Sequence, residues 1–433
     1  MLYINMFAMK NSLRFPKQLL ILVMILQSIV GISNAQNDLT EIKGLVMSKD
    51  SEKPLESAKV SLIGTNLSTI TNSEGKFILK FEDNIDAETL LVSNLGYRNK
   101  EIKIGDFGTN ELKIYLRADR TQLNEVSLNV YKNPEKLVRQ LFSNKSKNNL
   151  DESIMMTAFY RETIKRRRTN VSLTEAVVNL HKKSYMSRSK DEVELEIARK
   201  KTNYKKLDTL AFKLQGGPYT TLYLDIMKYP EYIFTDETIP DYDFNFDESS
   251  TIDNRSVYVV NFRQKENVYG IRYYGKLFID AESLALTSAS YSLNLENKAL
   301  AKNYLTKKRP RGVVTYPTET SYKVDYKEKN GKWYYAYARV NLTFKVNKKR
   351  TLFNQKYTVS SEMAVTDWNI YDQDVSFKSK DRLKPTVILA DRVSGFTDPN
   401  FWGEYNLIEP EKSIESAIEK IRKQIKKEEK RKS

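Results

Sequence analysis

The chain has 433 residues, enough for two or three domains that each bury their own core. It contains 27 Tyr and 18 Phe but only 15 Gly, a balance that favours β-strands. The absence of Cys excludes disulfides, thiolate nucleophiles and sulfur-ligated zinc, and a single His leaves little room for other metal or acid–base chemistry. We therefore expect a mainly β protein with no metal and no cofactor, and these absences favour a non-enzymatic role without deciding it.

The N-terminus has the parts of an export signal. Three basic residues precede an apolar run over residues 19–32, and a small-residue pattern ends at Ala35. The run of about 14 residues is shorter than the ~20 residues that span a bilayer. We expect cleavage after Ala35, so that the mature protein begins at Gln36 and resides in the periplasm or beside the outer membrane.

The formal net charge of +16 is spread over the chain. Three positive charges lie in the signal and a net five lie in residues 419–433, which leaves eight on the body. Internal clusters at 166–168 and 307–309 lack the interleaved aromatic rings with which proteins bind single-stranded nucleic acid. For an exported protein, the charge predicts attraction to anionic envelope polymers or lipids, and no nucleic acid.

Short alternating strands separated by turns follow from Glu41 to Leu116. One example is Phe77, Leu79 and Phe81, where every second residue is apolar. About seven strands in this stretch are typical of a small β-sandwich.

This stretch resembles the carboxypeptidase-like regulatory domain, a transthyretin-like β-sandwich. The resemblance lies in these residues: Ile42, Gly44 and Val46; Pro54-Leu55; Ala58 and Val60; Gly64-Thr65; Thr71; Gly75 and Phe77; Ser93; and Gly96-Tyr97. Ser73 stands where this family commonly has Asp. The resemblance implies an accessory module, since the zinc-bearing catalytic unit of a carboxypeptidase needs histidine ligands that this chain lacks.

A helix is predicted to begin after Asn133, with Asn as N-cap and Pro134 at the first helical position. Residues 133–150 and 158–162 resemble the start of an uncharacterised companion region that often follows this regulatory domain in exported bacterial proteins.

Most of the remaining chain predicts an antiparallel meander that curls on itself. Its predicted strands are Val257–Phe262, Tyr273–Ile279, Ala285–Leu295, Thr320–Tyr326, Trp333–Val346 and Tyr357–Trp368. Asn330-Gly331 predicts a type I′ hairpin, and 191–214 is compatible with a helix or a strand pair. The strand order is similar to the half-barrel of periplasmic lipoprotein carriers. An outer-membrane barrel is less consistent with the basic non-core faces of these strands.

The fold class expected is thus a transthyretin-like β-sandwich plus a larger antiparallel curved β-sheet domain with flanking helices. The expected organisation is a signal peptide at 1–35, the sandwich at 38–118, a linker and helix at 119–150, the β domain at 151–408 and a basic C-terminal helix at 409–433. We expect that last helix to dock on its own domain, with a partner helix or a membrane surface as alternatives.

Few residues have the type and spacing expected of a catalytic, metal-binding or ligand-binding site. His181 has no second His or Cys to complete a zinc site and is expected at the surface. The alternation of Asp241, Asp243, Asn245 and Asp247 with aromatic residues suggests calcium, but an amphipathic strand explains it as well. The aromatic residues around Gly216-Gly217 could line a groove or form core beside a bend. No residue is assigned to a catalytic, cofactor or metal site.

These features predict a non-enzymatic exported envelope protein with a binding or structural role. Its expected partner is an envelope protein, an apolar ligand or an anionic envelope polymer. Two alternatives stay open. One is a hydrolase of glycans that uses only carboxylates, which requires two facing acids ~5 to 10 Å apart. The other is a half-barrel carrier of an apolar ligand, which requires a hydrophobic cavity.

The first prediction concerns residues 38–118, which we expect to fold alone because seven strands with their own turns enclose a complete two-layer core. The expressed fragment should melt cooperatively when circular dichroism is followed against temperature. A fragment that stays disordered would show that the boundary or the sandwich is wrong.

Overall fold

The computed structural model describes residues 39–106, 111–119, 131–167, 169–202, 213–306, 311–348, 354–370, 380–393 and 401–412, with residues 414, 416 and 419. The predicted signal, most of the predicted linker and most of the predicted C-terminal helix lie outside the described residues. No described helix is long and apolar enough to cross a bilayer.

Two small sheets form the N-terminal sandwich. Its strands are β1 (Leu39–Ser48), β2 (Lys59–Leu62), β3 (Ser68–Ile70), β4 (Lys76–Glu82), β5 (Thr89–Ser93), β6 (Lys100–Lys103) and β7 (Leu112–Leu116). One sheet has the order β4-β1-β7 and the other β3-β2-β5-β6. The strands β1 and β7 are parallel, and the other pairs are antiparallel.

Period-two alternation builds the sandwich core, as the sequence predicts. In β4, Phe77, Leu79 and Phe81 are buried between residues that are only partly covered. The turn before β4 requires glycine, because Gly75 has φ +75° and an added Cβ would lie 2.5 Å from the carbonyl oxygen of Val46. The predicted sandwich fold is confirmed.

The third sheet has ten antiparallel strands and is called the large sheet. Its strands are β8 (Ile154–Arg166), β9 (Thr169–Lys182), β10 (Glu192–Thr202), β11 (Tyr242–Ile252), β12 (Arg255–Gln264), β13 (Tyr273–Asp280), β14 (Leu286–Leu293), β15 (Val313–Lys329), β16 (Lys332–Lys348) and β17 (Gln355–Ile370). Their order is β10-β9-β8-β17-β16-β15-β14-β13-β12-β11. The chain thus meanders from β11 to β17, and β17 then pairs with β8.

All six predicted strands of the meander are present. Asn330 (φ 52°) and Gly331 (φ 78°) join β15 to β16, in agreement with the predicted type I′ turn. In the ambiguous interval 191–214, the structure has strand β10, which pairs along β9.

The described helices are short. They are α1 (Pro134–Ser143), α2 (Lys145–Asn148), α3 (Tyr219–Leu222), α4 (Lys298–Tyr304) and α5 (Leu389–Arg392), with 3-10 turns at Ile104–Asp106, Pro230–Tyr232 and Ile239–Asp241. The predicted cap of α1 is present, since the Asn133 side chain accepts a hydrogen bond from the Lys136 backbone N–H.

One face of the large sheet is apolar and is covered by α1 and by residues 213–241. Leu137 and Leu141 of α1 join one continuous core with Leu222, Ile226 and side chains from the sheet. The space over this face is therefore occupied by the protein's own side chains.

A buried lysine ties residues 213–241 to the sheet. The ammonium of Lys182, on β9, donates to Asp191 Oδ2 and Asp225 Oδ2, both at 2.7 Å. It also lies 5.0 Å from the centre of the Tyr185 ring and 5.8 Å from that of Tyr229. Burial opposes its charged form, but the two carboxylates raise the pKa of Lys182. We call this arrangement the lysine cage.

The second prediction tests the lysine cage. Lys182→Met should lower the free energy of unfolding by about 3 to 5 kcal/mol, because Asp191 and Asp225 would remain buried without their cation. Denaturant titration measures the change. The exposed control Lys190→Met should cost less than about 0.5 kcal/mol.

Neutralising the whole cage provides a further check. Adding Asp191→Asn and Asp225→Asn to Lys182→Met should recover part of the loss, since no unpaired charge would then remain. A loss below about 1 kcal/mol for Lys182→Met would contradict the assigned role of the cage.

Candidate binding cleft and the interface that holds it

The single histidine is buried, contrary to the surface position expected from the sequence. His181 is 2% exposed because its strand β9 is paired on both sides, with Met155 of β8 and Glu192 of β10 opposite it. Its Nε2 atom lies 3.4 Å from the ammonium of Lys183. Among the described residues, no three His, Asp or Glu side chains are grouped as a metal site.

The acidic alternation lies on edge strand β11 and just before it, where each Asp contacts a cation. Asp241 accepts from Arg272 Nε at 2.9 Å. Asp247 accepts from Lys276 Nζ at 2.6 Å, and this hydrogen bond lowers the pKa of Asp247 to about 2. The carboxylates thus serve ion pairs on the polar face of an amphipathic strand. Asp243 lies 3.8 Å from Arg263 in the same way.

The Gly216-Gly217 bend belongs to the core. Both residues have positive φ, 115° and 52°, and the chain then enters α3. The rings of Tyr223 and Tyr229 stack edge to face with centroids 5.0 Å apart, and Tyr229 also borders the lysine cage. These rings therefore form core beside the bend, which is the second of the two alternatives that the sequence left open.

The opposite face of the large sheet carries an apolar cluster around Phe159 and Val177 and, beside it, a buried row of alternating charge. Strand register places Arg199 beside Glu175, Glu175 beside Arg161, and Arg161 beside Glu362. Arg161 Nε donates to Glu175 Oε1 at 2.9 Å, and Arg199 Nε donates to Glu175 Oε2 at 2.8 Å. We call these four residues the cross-strand row.

Burial would make the carboxylate of Glu175 costly without its two partners. Desolvation opposes its ionisation, but Arg161 and Arg199 outweigh that effect and lower the pKa of Glu175. Arg161 is 2% exposed and Glu175 is 1% exposed, so the pair is withdrawn from solvent. These ion pairs therefore hold the residues of the cross-strand row in this arrangement in the folded protein.

The cross-strand row holds the C-terminal segment, residues 401–412. Arg161 Nη2 donates to the carbonyl oxygen of Ile408 at 2.7 Å, and the guanidinium of Arg199 lies 4.7 Å from the centre of the Trp402 ring. Trp402 also packs edge to face on Phe159 of β8. The C-terminal segment is thus anchored to the large sheet.

The same segment is bound on its other side by the sandwich. Thr69 Oγ1 donates to the carbonyl oxygen of Leu407 at 3.0 Å, and Asn72 Nδ2 donates to that of Glu409 at 3.1 Å. The Asn406 side chain makes two hydrogen bonds to the backbone of Lys80. The C-terminal segment therefore lies between the sandwich and the large sheet and contacts both.

Direct contacts complete this interface. The Gly96 backbone N–H donates to the Thr251 carbonyl oxygen at 2.7 Å, and Asn66 Nδ2 donates to that of Trp368 at 2.6 Å. A cavity of about 50 Å³ remains between the modules. Lys327 lines it, and burial together with the nearby charge of Lys59 lowers the pKa of Lys327 to about 7.

A wide basic cleft lies at the end of the sandwich. Its volume is about 660 Å³, and it is lined by Lys49, Glu52, Arg98, Asn99, Lys100, Tyr115, Leu116 and Arg117. Four of these residues are cations and one is an acid. Among the described residues, Lys49, Lys100 and Arg117 form no ion pair, whereas Arg98 lies 3.3 Å from Asp119.

Backbone pairing aligns the cations of the basic cleft. The Lys49 N–H donates to the Leu116 carbonyl oxygen at 2.7 Å, and the Arg98 N–H donates to that of Arg117 at 3.0 Å. The segments that carry Lys49, Arg117 and Arg98 therefore run side by side, about 5 Å apart as in a sheet. The cleft presents a row of positive charge across three neighbouring segments.

Neither the cross-strand row nor the basic cleft is predicted by the sequence. Each assembles residues that are far apart in the chain, and each such residue is an ordinary charged position in its own strand. The one local signal is Arg161 itself, which lies among the apolar and aromatic residues that open β8.

The comparison with protein families confirms the regulatory-domain resemblance. Residues 42–128 match the model of the CarboxypepD_reg-like domain, which is about a fifth of the chain. No curated protein matches the chain significantly.

Two solved structures are among those similar to the chain. One is a DUF1329 family protein from Desulfovibrio piger, with 12% identity, a TM-score of 0.23, and coverage of 57% of this chain and 96% of that protein. The other is a LolA superfamily protein from Nitrosomonas europaea, with 9% identity, a TM-score of 0.22, and coverage of 54% and 94%. TM-scores this low carry no argument about function.

The third prediction concerns Lys327 at the module interface. Its pKa in the folded protein is about 7, below the ordinary 10.5, so folding releases its proton between these values. This group therefore makes the folded state more stable as pH rises from 7 towards 10.5, by at most about 1.4 kcal/mol per pH unit.

The measurement is the free energy of unfolding at pH 7 and pH 9 for wild type and Lys327→Met. The wild type should gain more stability over this interval than the variant does. The exposed control Lys190→Met, which does not contribute to the shift of Lys327, should keep the wild-type pH dependence. Equal pH dependence in wild type and Lys327→Met would contradict the lowered pKa.

Proposed function

We propose that the protein is a non-enzymatic, exported envelope protein that binds an acidic envelope component through the basic cleft. The observation that carries this proposal is a cleft of about 660 Å³ lined by four cations, of which Lys49, Lys100 and Arg117 form no ion pair within the described part of the chain. A volume of 300 to 1,000 Å³ is typical of ligand pockets. The predicted signal at residues 1–35 supplies the argument for export.

The two-module architecture supports a binding scaffold. The C-terminal segment is hydrogen-bonded to the sandwich through Thr69 and to the large sheet through Arg161. A ligand held by the sandwich is thereby held in a fixed position relative to the large sheet. We also propose an envelope protein as a partner for the large sheet, and the helix predicted at 409–433 as the candidate for peripheral membrane contact.

The carboxylate-only hydrolase receives less support from the geometry. The buried acids Glu175, Asp191 and Asp225 are held in ion pairs with arginine or lysine. Glu162 differs, because burial raises its pKa to about 7 and the hydroxyl of Tyr160 donates to it at 2.7 Å. It is 6% exposed, so a glycan has no open path to it among the described residues.

A carrier of an apolar ligand needs free space on the apolar face. There, the side chains of α1 and of residues 213–241 pack directly on the sheet in one core. This arrangement favours the acidic ligand over the apolar one.

The fourth prediction tests the proposal with the full mature chain and envelope fragments of the producing bacterium. Sedimentation should carry the protein down with the fragments at low salt, and high salt should release it because exposed charges are then screened. The double variant Lys49→Gln, Arg117→Gln should bind about fivefold less, whereas Arg188→Gln, an exposed control on the large module, should bind like wild type.

Two results would count against the proposal. One is sedimentation that neither salt nor the double variant changes, which would place binding on another surface. The other is a mature protein that never associates with the fragments at any salt concentration.

A further inference from the structure

We propose that the basic cleft takes an anionic polysaccharide chain, with acidic groups against Lys49, Lys100 and Arg117 and a sugar ring against Tyr115. This inference rests on the proposed function and goes beyond it by naming the chemistry of the ligand. It depends on two properties of the cleft: the spacing of its charges and its exposed aromatic ring.

The spacing of the charges suits a ligand with repeated acidic groups. Lys49, Arg117 and Arg98 lie on neighbouring segments about 5 Å apart. Lys100 extends the positive charge along β6, and Glu52 is the one acid in the lining. A single small anion would satisfy one or two of these cations, whereas a chain with an acid on successive units can neutralise them all.

The aromatic ring distinguishes a sugar chain from a simple polyanion. Tyr115 is 39% exposed on β7, and Arg117 directly follows this strand, so that Lys113, Tyr115 and Arg117 are alternate exposed residues at intervals of about 7 Å. A tyrosine ring offers a flat apolar surface with a polar tip, which suits the C–H face and hydroxyls of a sugar ring. Polyphosphate has no C–H surface that could pack against this ring.

The aromatic content of the cleft disfavours a nucleic-acid partner. Single-stranded nucleic acid is bound by several aromatic platforms in succession. Tyr115 is the one aromatic residue among the described residues that line the cleft.

The test measures affinities of the full mature protein at low salt by calorimetry. The probes are oligogalacturonate, neutral maltohexaose, inorganic polyphosphate, single-stranded DNA, and vesicles of phosphatidylglycerol and phosphatidylethanolamine in equal parts. Oligogalacturonate should bind most tightly and maltohexaose should not bind detectably. Thermal melts establish that each variant remains folded.

Two variants separate charge from stacking. Arg117→Gln should weaken oligogalacturonate and polyphosphate alike, by about fivefold. Tyr115→Ala should weaken oligogalacturonate by about fivefold and leave polyphosphate within about twofold, because only the sugar contacts the ring. The controls Arg188→Gln and Tyr269→Ala, which alter exposed side chains elsewhere, should match wild type.

The remaining outcomes overturn the inference. Tighter binding of DNA or vesicles than of oligogalacturonate would show that the ligand is not a polysaccharide. An unchanged affinity for oligogalacturonate in Tyr115→Ala would show that no sugar ring packs against Tyr115. If oligogalacturonate does not bind while salt-sensitive envelope association persists, the polysaccharide is wrong and the proposed function stands. If the cleft binds oligogalacturonate but the protein does not bind envelope fragments, the proposed function is wrong instead.

Discussion

The guanidinium of Arg161 is the group on which the assembly of this protein depends. It is almost fully buried, and its three nitrogens donate to Glu175, Glu362 and the carbonyl oxygen of Ile408. A buried arginine is tolerated only when its charge is balanced and its N–H groups are bonded, and here the C-terminal segment supplies one of those bonds. The cost of burying the charge thus links the folding of the sheet to the position of residues 401–412.

That link has consequences for the whole architecture. The C-terminal segment, once fixed by Arg161, presents the carbonyl oxygens of Leu407 and Glu409 to the sandwich. The sandwich is therefore docked on the face of the large sheet that carries the cross-strand row, and the basic cleft lies at the end of this docked sandwich. The apolar face carries a separate constraint, since the lysine cage around Lys182 holds residues 213–241 against it.

Local patterns in the sequence predict the strands well and the sites poorly. The alternation in β4, the cap at Asn133 and the turn at Asn330 depend on neighbouring residues, and all three are present in the structure. The burial of His181 depends instead on strands on both sides of β9, and the partners of Arg161 come from three distant parts of the chain. Such contacts are set by register and docking, which a single sequence leaves undetermined.

The most direct test measures whether Arg161 holds the two modules in one arrangement. The chain has no natural cysteine, so Asn84→Cys on the sandwich and Ser189→Cys on the large module provide two exposed sites for spin labels. Pulsed dipolar spectroscopy should give one narrow distance distribution in this labelled protein. Adding Arg161→Met should broaden it, because the C-terminal segment loses its bond at Ile408. A distribution that is equally narrow with and without Arg161, in proteins that both remain folded, would contradict the account.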